Sequence, residues 1–237
     1  MSTVIARALV ALGICSISLI AIARDFETIT VTASRTPTSI DNVGSSITVI
    51  TREDILRRNA STLAELLRDV PGLAVSQQGG TGTFAQVRAR GAEANQILVL
   101  IDGIEANDIA QGSEFNFAQL AASDIEAIEI IRGPQSALWG SDALAGVINV
   151  ITEPGRLSVG TTSFHAEGGQ KNSVRVGATI GRNLGDVTLT GGISHLRTTG
   201  SNIARSGDES DGYGNTTVRL STVMPLTDTS RVTLSLR

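Results

Sequence analysis

A strict two-residue alternation of side chains runs through the last third of the sequence. Apolar residues occupy every second position and small or polar residues lie between them, as in Val174, Val176, Ala178 and Ile180 against Ser173, Arg175, Gly177 and Thr179. Because successive side chains of a β-strand point to opposite faces, the pattern predicts strands with one apolar and one polar face. We place these strands at 157–168, 172–183, 186–198, 213–225 and 229–237.

The predicted strands have properties of a membrane-spanning sheet. Their lengths are close to the 9 to 11 residues, roughly, that a tilted strand needs to cross a bilayer, and their polar faces consist of Thr, Ser, Gly and Arg. Only Phe164 and Tyr213 are aromatic in this region, which departs from the aromatic girdles usual in outer-membrane barrels. A soluble β-sandwich, which also buries one face of each strand, remains the alternative.

Residues 1–23 have the pattern of a secretory signal peptide. Arg7 precedes an apolar run from Ala8 to Ile20, and the sequence Ala-Ile-Ala at 21–23 matches a cleavage site. An uncleaved N-terminal anchor is the alternative. Cys15 lies inside this segment, so the mature chain would contain no cysteine and would depend on packing for its stability.

Two units precede the alternating strands. Residues 24–38 are predicted to be an extended arm, and residues 39–152 a small α+β domain in which helices and strands mix without a βα repeat. A strand at 46–51 leads into a helix with Thr51 as N-cap. Two buried strands around a Gly-Pro turn, at 128–152, close the domain.

Composition and motifs exclude several functions. The net charge is −4, with 19 basic and 23 acidic residues and no basic cluster, so a nucleic-acid surface is not expected. The glycine-rich loop Gln77–Thr83 lacks the Gly-Lys-Ser/Thr ending of a phosphate-binding loop. His165 and His195 have no cysteine or ligand-spaced histidine near them, and no serine has a base beside it. The chain is therefore predicted not to be an enzyme.

Five sequence segments stand in an order that identifies a family. The chain resembles TonB-dependent outer-membrane receptors over residues 25–237, through ETITVTA (27–33), ITREDI (50–55), LAELLRDVPGLAV (63–75), VRARGAEANQILVLIDGI (87–104) and IIRGPQSALWGSDALAGVINVIT (130–152). Each segment is weak by itself, and the combination is specific.

The resemblance implies an α+β plug domain at 39–152, followed at 157–237 by an incomplete antiparallel transmembrane β-barrel of about five strands. It places the protein in the outer membrane of a Gram-negative bacterium, in contact with outer-membrane lipid. A plug that fills a barrel must contact the wall, and Arg88, Arg90 and Arg132 are expected to point at wall carboxylates.

The family resemblance assigns a partner to the N-terminal arm. The segment similar to a TonB box consists of Glu27, Thr28, Ile29, Thr30, Val31, Thr32 and Ala33. An extended segment of this kind can add a strand to the sheet edge of another protein, so we expect it to bind TonB, which acts with ExbB and ExbD. An unpaired tail is the alternative.

Within the family, the QQGGTG loop and the LVLIDG run look most like those of the vitamin B12 transporters. This implies a cobalamin-like ligand, contacted by residues of the outward-facing plug loops, namely Phe84, Gln86, Glu93, Gln111 and Gly112. A siderophore receptor for another metal chelate, and a secreted plug-like binding module that does not transport, remain the alternatives.

An acidic loop between two predicted strands offers oxygen ligands for a hard cation. Asn202, Asp208, Glu209 and Asp211 lie close together in the sequence, and some relatives of the vitamin B12 transporters bind calcium in the corresponding loop. A structural calcium ion is therefore one prediction for this loop, and an ordinary acidic surface loop is the other. No cofactor is expected elsewhere.

The number of predicted strands leads to an expectation about transport. A plugged receptor barrel has about 22 strands, whereas the region after Arg156 predicts four complete strands and a fifth that ends at Arg237 within its alternation. We expect a truncated receptor that does not transport by itself.

The arm can be tested by removing one backbone donor. Replacing Ile29 with Pro should abolish chemical cross-linking to TonB, because proline cannot donate the N–H that an added strand needs. Ile29→Ala keeps the N–H and should retain most of the cross-linking. Equal cross-linking of Ile29→Pro and the unmodified chain would show that this segment is not the TonB box.

Overall fold

The computed structural model describes residues 30–31, 38–39, 44–152, 160, 162–203, 206, 209–227 and 230–237. The predicted signal peptide and most of the predicted arm lie outside the described residues. In the arm, β1 (Thr30–Val31) pairs antiparallel with β2 (Thr38–Ser39). None of the helices in the described ranges is long and apolar enough to cross a membrane.

A five-stranded mixed sheet forms the centre of the α+β domain. Its strands lie in the order β3-β8-β9-β6-β7. Only β6 and β9 pair in parallel among its described pairs. The strands span Ser46–Ile50 (β3), Ile97–Ile101 (β6), Ile104–Glu105 (β7), Ala127–Arg132 (β8) and Gly146–Ile151 (β9), and a separate hairpin pairs β4 (Leu73–Gln77) with β5 (Ala85–Ala89).

Two short helices cover one face of this sheet. Helix α1 (Arg52–Arg58) begins at the predicted cap, where Thr51 accepts from the backbone N–H of Asp54 and the Asp54 carboxylate accepts in return. These hydrogen bonds lower the pKa of Asp54. Helix α2 (Leu63–Leu67) follows and buries all three of its leucines.

The Gly-Pro turn between β8 and β9 is compact because its backbone groups bond across it. Gly133 N donates to Ala145 O at 2.9 Å, and Gln135 N donates to Ala143 O at 2.8 Å. Helix α3 (Ser136–Trp139) occupies the turn, and the two strands return in antiparallel register. One short segment thus closes the domain, as predicted. It consists of two adjacent buried strands and a sharp turn that is rich in small residues.

The core has one apolar cluster on each face of the mixed sheet. The larger cluster contains the α2 leucines with Ile50, Ile97, Val99, Ile128, Ile130, Ile148 and Val150. The smaller contains Leu98, Leu100, Ile131, Ala143 and Val147, with Trp139 packed against it. On that second face Asn149 donates to the buried carboxylate of Glu129 at 3.1 Å, so a polar pair lies within the sheet with its hydrogen bond made.

The alternating region forms a second, five-stranded antiparallel sheet in sequential order β10 to β14. Among the described strands the sheet does not close on itself, which is consistent with the predicted partial antiparallel barrel. Its strands span Thr162–Gly169 (β10), Ser173–Leu184 (β11), Val187–Thr198 (β12), Tyr213–Thr227 (β13) and Ser230–Leu236 (β14). The last four agree with the predicted ranges within two residues, whereas β10 begins five residues after the predicted start at 157, and residues 157–159 and 161 lie outside the described residues.

The two faces of this sheet differ as the alternation predicts. The outer face exposes large apolar side chains, among them Phe164, Val174, Val176, Ile180, Ile193, Val218 and Leu220. The inner face lies against the α+β domain and carries mainly polar and small residues, among them Ser163, His165, Arg175, Thr179, Thr190, Ser194, Tyr213, Asn215, Thr217, Arg219 and Ser221.

The start of β9 requires glycine. A Cβ atom added to Gly146 would lie 2.4 Å from the backbone oxygen of Ile131 in the neighbouring strand. Gly146→Ala should therefore lower the free energy of unfolding of the α+β domain by about 3 kcal/mol. Urea unfolding in detergent, followed by the fluorescence of the single tryptophan, Trp139, measures the change. Gly44→Ala is the control because no atom lies within 4 Å of its added Cβ, and equal midpoints for the two variants would contradict the packing described.

Candidate ligand face and plug–wall contacts

The glycine-rich loop connects β4 to β5 and is braced mainly by its own short-range hydrogen bonds. Thr83 Oγ1 donates to Gly80 O at 2.8 Å, and Gln77 Nε2 donates to the same oxygen at 3.1 Å. Two of the predicted ligand residues follow this loop. The Phe84 side chain is 41% exposed, whereas Gln86 is half-buried and donates from Nε2 to Glu114 Oε2 at 2.6 Å.

The segment between β7 and Glu114 forms a second exposed loop. Asn107 anchors it to the sheet, since Oδ1 accepts from Val99 N at 2.7 Å while Nδ2 donates to Ile97 O at 3.0 Å and Ser113 O at 2.8 Å. The predicted ligand residues Gln111 and Gly112 are exposed at the end of this loop. Gly112 has a φ of 73°, a left-handed conformation that favours glycine.

The two loops are joined where their ends meet. Gln86 at the end of the glycine-rich loop reaches Glu114 at the end of the second loop, and Asn116 Oδ1 accepts from Ala85 N at 3.1 Å. The structure therefore brings Phe84, Gln86, Gln111 and Gly112 to two connected loops. Glu93 lies apart from them, beyond the other end of β5, where it exchanges hydrogen bonds with Gln96 in a capping box.

The acidic loop of the C-terminal sheet is described only in part. Asp211 Oδ2 accepts from Ile203 N at 3.0 Å, so this carboxylate organises the loop backbone. Glu209 is exposed, and Asp208 lies outside the described residues. Within the described ranges no group of three or more His, Cys, Asp or Glu side chains could hold a metal ion. A calcium site formed with Asn202 stays a prediction.

Arg219 of β13 makes the most extensive polar contact between the sheet and the α+β domain. Its guanidinium donates to the backbone oxygen of Asp124 and, at 3.2 Å, to that of Thr152. It also lies 3.7 Å from the Asp124 carboxylate, whose side chain is 0% exposed. The buried carboxylate thus faces a cation from the sheet.

A second arginine holds the same segment from within the domain. Arg52 of α1 donates to Ile125 O at 2.7 Å and to Ser123 O at 3.3 Å, so the 3₁₀ turn at Ala122–Asp124 lies between two guanidinium groups. Burial raises the pKa of the nearby Glu126, and the charges of Arg52 and Arg219 oppose that rise.

Cavities separate the sheet from the domain on both sides of Arg219. One has a volume of about 240 Å³ and the other about 400 Å³. Thr152, Thr179 and Arg219 line both cavities. The Arg219 side chain therefore crosses the gap between the two units at a point where packing is otherwise loose.

Comparison with known proteins identifies the α+β domain. Residues 39–147 match the family model described as the TonB-dependent receptor plug domain. This segment is a TonB-dependent receptor plug domain. We accordingly call residues 44–152 the plug and the sheet β10–β14 the wall.

The chain is also similar to two curated vitamin B12 transporters. It is 44% identical over 135 residues to BtuB of Vibrio vulnificus, a match that covers 57% of this chain and 22% of that protein. It is 38% identical over 158 residues to BtuB of Vibrio cholerae, covering 65% of this chain and 26% of that protein. The matches thus span about a quarter of the length of these relatives.

A solved structure shows the same fold at lower identity. The pyoverdine outer membrane receptor FpvA from Pseudomonas aeruginosa PAO1 superposes with a TM-score of 0.68 over 90% of this chain and 30% of that chain, at 19% identity. At this identity the likeness concerns the fold alone. It supports the arrangement of plug and wall.

The described contacts between plug and wall use arginines of the wall. Arg132 donates within the plug, to Pro71 O and, at 2.8 Å, to Thr48 Oγ1, while Arg88 and Arg90 are exposed. Their pairing with wall carboxylates stays a prediction. The described contacts run in the opposite direction, because Arg175 of the wall donates to Ser61 of the plug at 2.7 Å and Arg219 reaches Asp124.

Sequence reasoning missed these two wall arginines, although a signal was present. Both occupy polar positions of the alternating strands, and a long cationic side chain on the inner face must find an acceptor on whatever lies opposite. Of the segment similar to a TonB box, the structure describes only Thr30 and Val31, in the β1–β2 pair. The rest of that segment lies outside the described residues.

The Arg219–Asp124 contact can be tested by a double-mutant cycle. Arg219→Met leaves the Asp124 carboxylate buried without its cation and should lower the free energy of unfolding of the plug by about 1–3 kcal/mol. Asp124→Asn in the Arg219→Met background should recover part of this loss. Trp139 fluorescence during urea unfolding in detergent gives the free energies.

Arg197→Met is the matched control because Arg197 is exposed on the outer face of the wall. If Arg219→Met lowered the free energy of unfolding no more than this control does, the Arg219–Asp124 contact would contribute nothing measurable to stability.

Proposed function

We propose that this chain acts in TonB-dependent uptake of a cobalamin-like ligand at the outer membrane, as a receptor and not as an enzyme. The observation that carries the proposal is the identity of 44% and 38% to two vitamin B12 transporters. The structural neighbours include siderophore receptors, and at their low identity they support the fold alone. The proposed ligand therefore rests on the sequence similarity to the vitamin B12 transporters.

The two faces of the wall suit this location. Large apolar side chains on the outer face, such as Phe164 at 79% and Val218 at 59% exposure, would contact lipid, where strands of this kind present their apolar residues. The inner face carries hydroxyls, amides and arginines that bond to the plug. The plug therefore occupies the side on which an open barrel would leave an aqueous lumen.

The proposed ligand face matches a large ligand with both apolar and amide groups, as a corrinoid has. Phe84 and the strongly exposed Ile109 present apolar surface on the two plug loops. Gln111 presents an amide at the end of the second loop, and Gly112 allows close approach to the backbone. Glu93 belongs to the proposed set by family resemblance, with the least structural support.

Energy for uptake would come through the N-terminal arm. We propose that the segment 27–33 adds a strand to TonB, which ExbB and ExbD energise. Pulling on the arm would act on the plug, whose described polar contacts with the wall are hydrogen bonds and one ion pair. Such contacts can break without exposing a large apolar interface.

Calorimetry on the chain purified in detergent tests the ligand. Cyanocobalamin should bind, and Gln111→Ala should weaken binding about twofold to tenfold, as expected for the loss of one hydrogen bond. Glu53→Ala on α1 is the control because this exposed residue lies on the helix outside both loops. A ferric siderophore should give no heat.

Other outcomes would replace the proposal. Tight binding of the ferric chelate with no heat from cyanocobalamin would indicate a siderophore receptor. Absence of binding to either, with a folded plug, would favour a plug-like binding module.

A further inference from the structure

Tyr213, the first residue of β13, lies directly on the glycine-rich loop of the plug. A Cβ atom added to Gly82 would lie 1.9 Å from Tyr213 Cδ2 and 2.4 Å from Tyr213 Cγ. Gly82 also has a φ of 89°. The aromatic ring thus occupies the space that any larger residue at position 82 would need, and loop and wall are complementary at this point.

Hydrogen bonds fix the ring in this position. Tyr213 Oη donates to Ala118 O of the plug at 3.3 Å. Asn215, two residues further along the inner face, donates from Nδ2 to Tyr213 Oη at 2.9 Å and to Gln119 O at 2.8 Å. Thr217 Oγ1 donates to Asn215 Oδ1 at 3.2 Å, which orients the amide so that its donors face the plug.

A side chain from the loop between β12 and β13 reaches the same plug loop. Ile203 precedes β13, and its Cδ1 lies 3.2 Å from the position of a Cβ added to Gly79. Two glycines of one plug loop are therefore covered by Ile203, which precedes β13, and by Tyr213, which begins it. The hydrogen bonds of Gly80 and Thr83 join residues that are close in sequence, so the wall contacts at Gly79 and Gly82 add a long-range restraint to the middle of the loop.

We infer that Tyr213 is a positioning residue that holds the glycine-rich loop in the geometry of the ligand face. The inference rests on the proposed function. Glycine-rich backbone loses much conformational entropy when a ligand orders it, and a loop that is already held in place avoids this loss at the time of binding. Phe84 follows the loop directly, so its placement is coupled to the seating of Gly82 under Tyr213, whereas Gln86 is held in β5 and by Glu114.

The inference predicts a specific effect of truncating the ring. Tyr213→Ala should increase hydrogen exchange in residues 78–84 about tenfold and weaken cyanocobalamin binding about tenfold, while Tyr213→Phe, which keeps the ring and loses the hydroxyl, should have a clearly smaller effect on both. Exchange in the core strand β6 should stay unchanged in both variants. A residue that only stabilises the fold would instead alter exchange in β6.

A disulfide can replace the tyrosine. Tyr213 Cγ is 2.4 Å from the added Cβ and about 1.5 Å from its own Cβ, so the two Cβ atoms are at most about 3.9 Å apart, and this upper limit lies within the roughly 3.5–4.5 Å found in disulfides. In a Cys15→Ser background, Gly82→Cys with Tyr213→Cys should form this bond. The oxidised protein should recover slow exchange in 78–84 and ligand affinity, and reduction should remove both.

The outcomes separate this inference from the proposed function. Failure of the unmodified chain to bind cyanocobalamin would overturn the ligand assignment, while exchange and disulfide formation would still decide whether Tyr213 seats the loop. Unchanged exchange in 78–84 after Tyr213→Ala would overturn the seating. Recovered exchange without recovered affinity in the oxidised pair would overturn the positioning role.

Discussion

The fold depends on the requirement that a sheet with one polar face must find hydrogen-bonding partners on that face. The five wall strands place arginine, tyrosine, asparagine and threonine side chains on one side, and the plug supplies backbone carbonyls and the buried carboxylate of Asp124 in return. Tyr213, Asn215 and Arg219 reach backbone carbonyls in irregular plug segments, and Arg175 reaches the Ser61 hydroxyl. Polar groups thus take the role that apolar packing has inside the plug.

Glycine makes this polar contact geometrically possible at several points. Tyr213 rests on Gly82, Arg219 passes over Gly192 on the neighbouring strand, and His165 lies over Gly177. In each pair a large inner-face side chain occupies the volume that a Cβ would fill. Small residues therefore create recesses on the inner face of the wall. Long side chains of neighbouring strands lie in these recesses.

Much of the fold followed from the sequence because its signals are local. Alternation identified the five wall strands within a few residues, and Thr51 was identified as the cap of α1 from its own neighbours. The contacts between plug and wall are different, because they join residues such as Asp124 and Arg219 that are 95 positions apart. Spacing in the sequence cannot say which arginine finds which acceptor, so the expectation for Arg88, Arg90 and Arg132 came from the family and not from these residues.

Cysteine scanning along β13 tests most directly the central claim that one face of the wall meets the plug and the other meets lipid. In a Cys15→Ser background reconstituted into lipid vesicles, fluorophores at positions 216, 218 and 220 should be quenched by nitroxide-labelled lipid. Cysteines at 217 and 221 should escape that quenching and react slowly with a water-soluble maleimide until urea unfolds the plug. Equal quenching at odd and even positions, or fast maleimide labelling of 217 and 221 in the folded protein, would contradict the account.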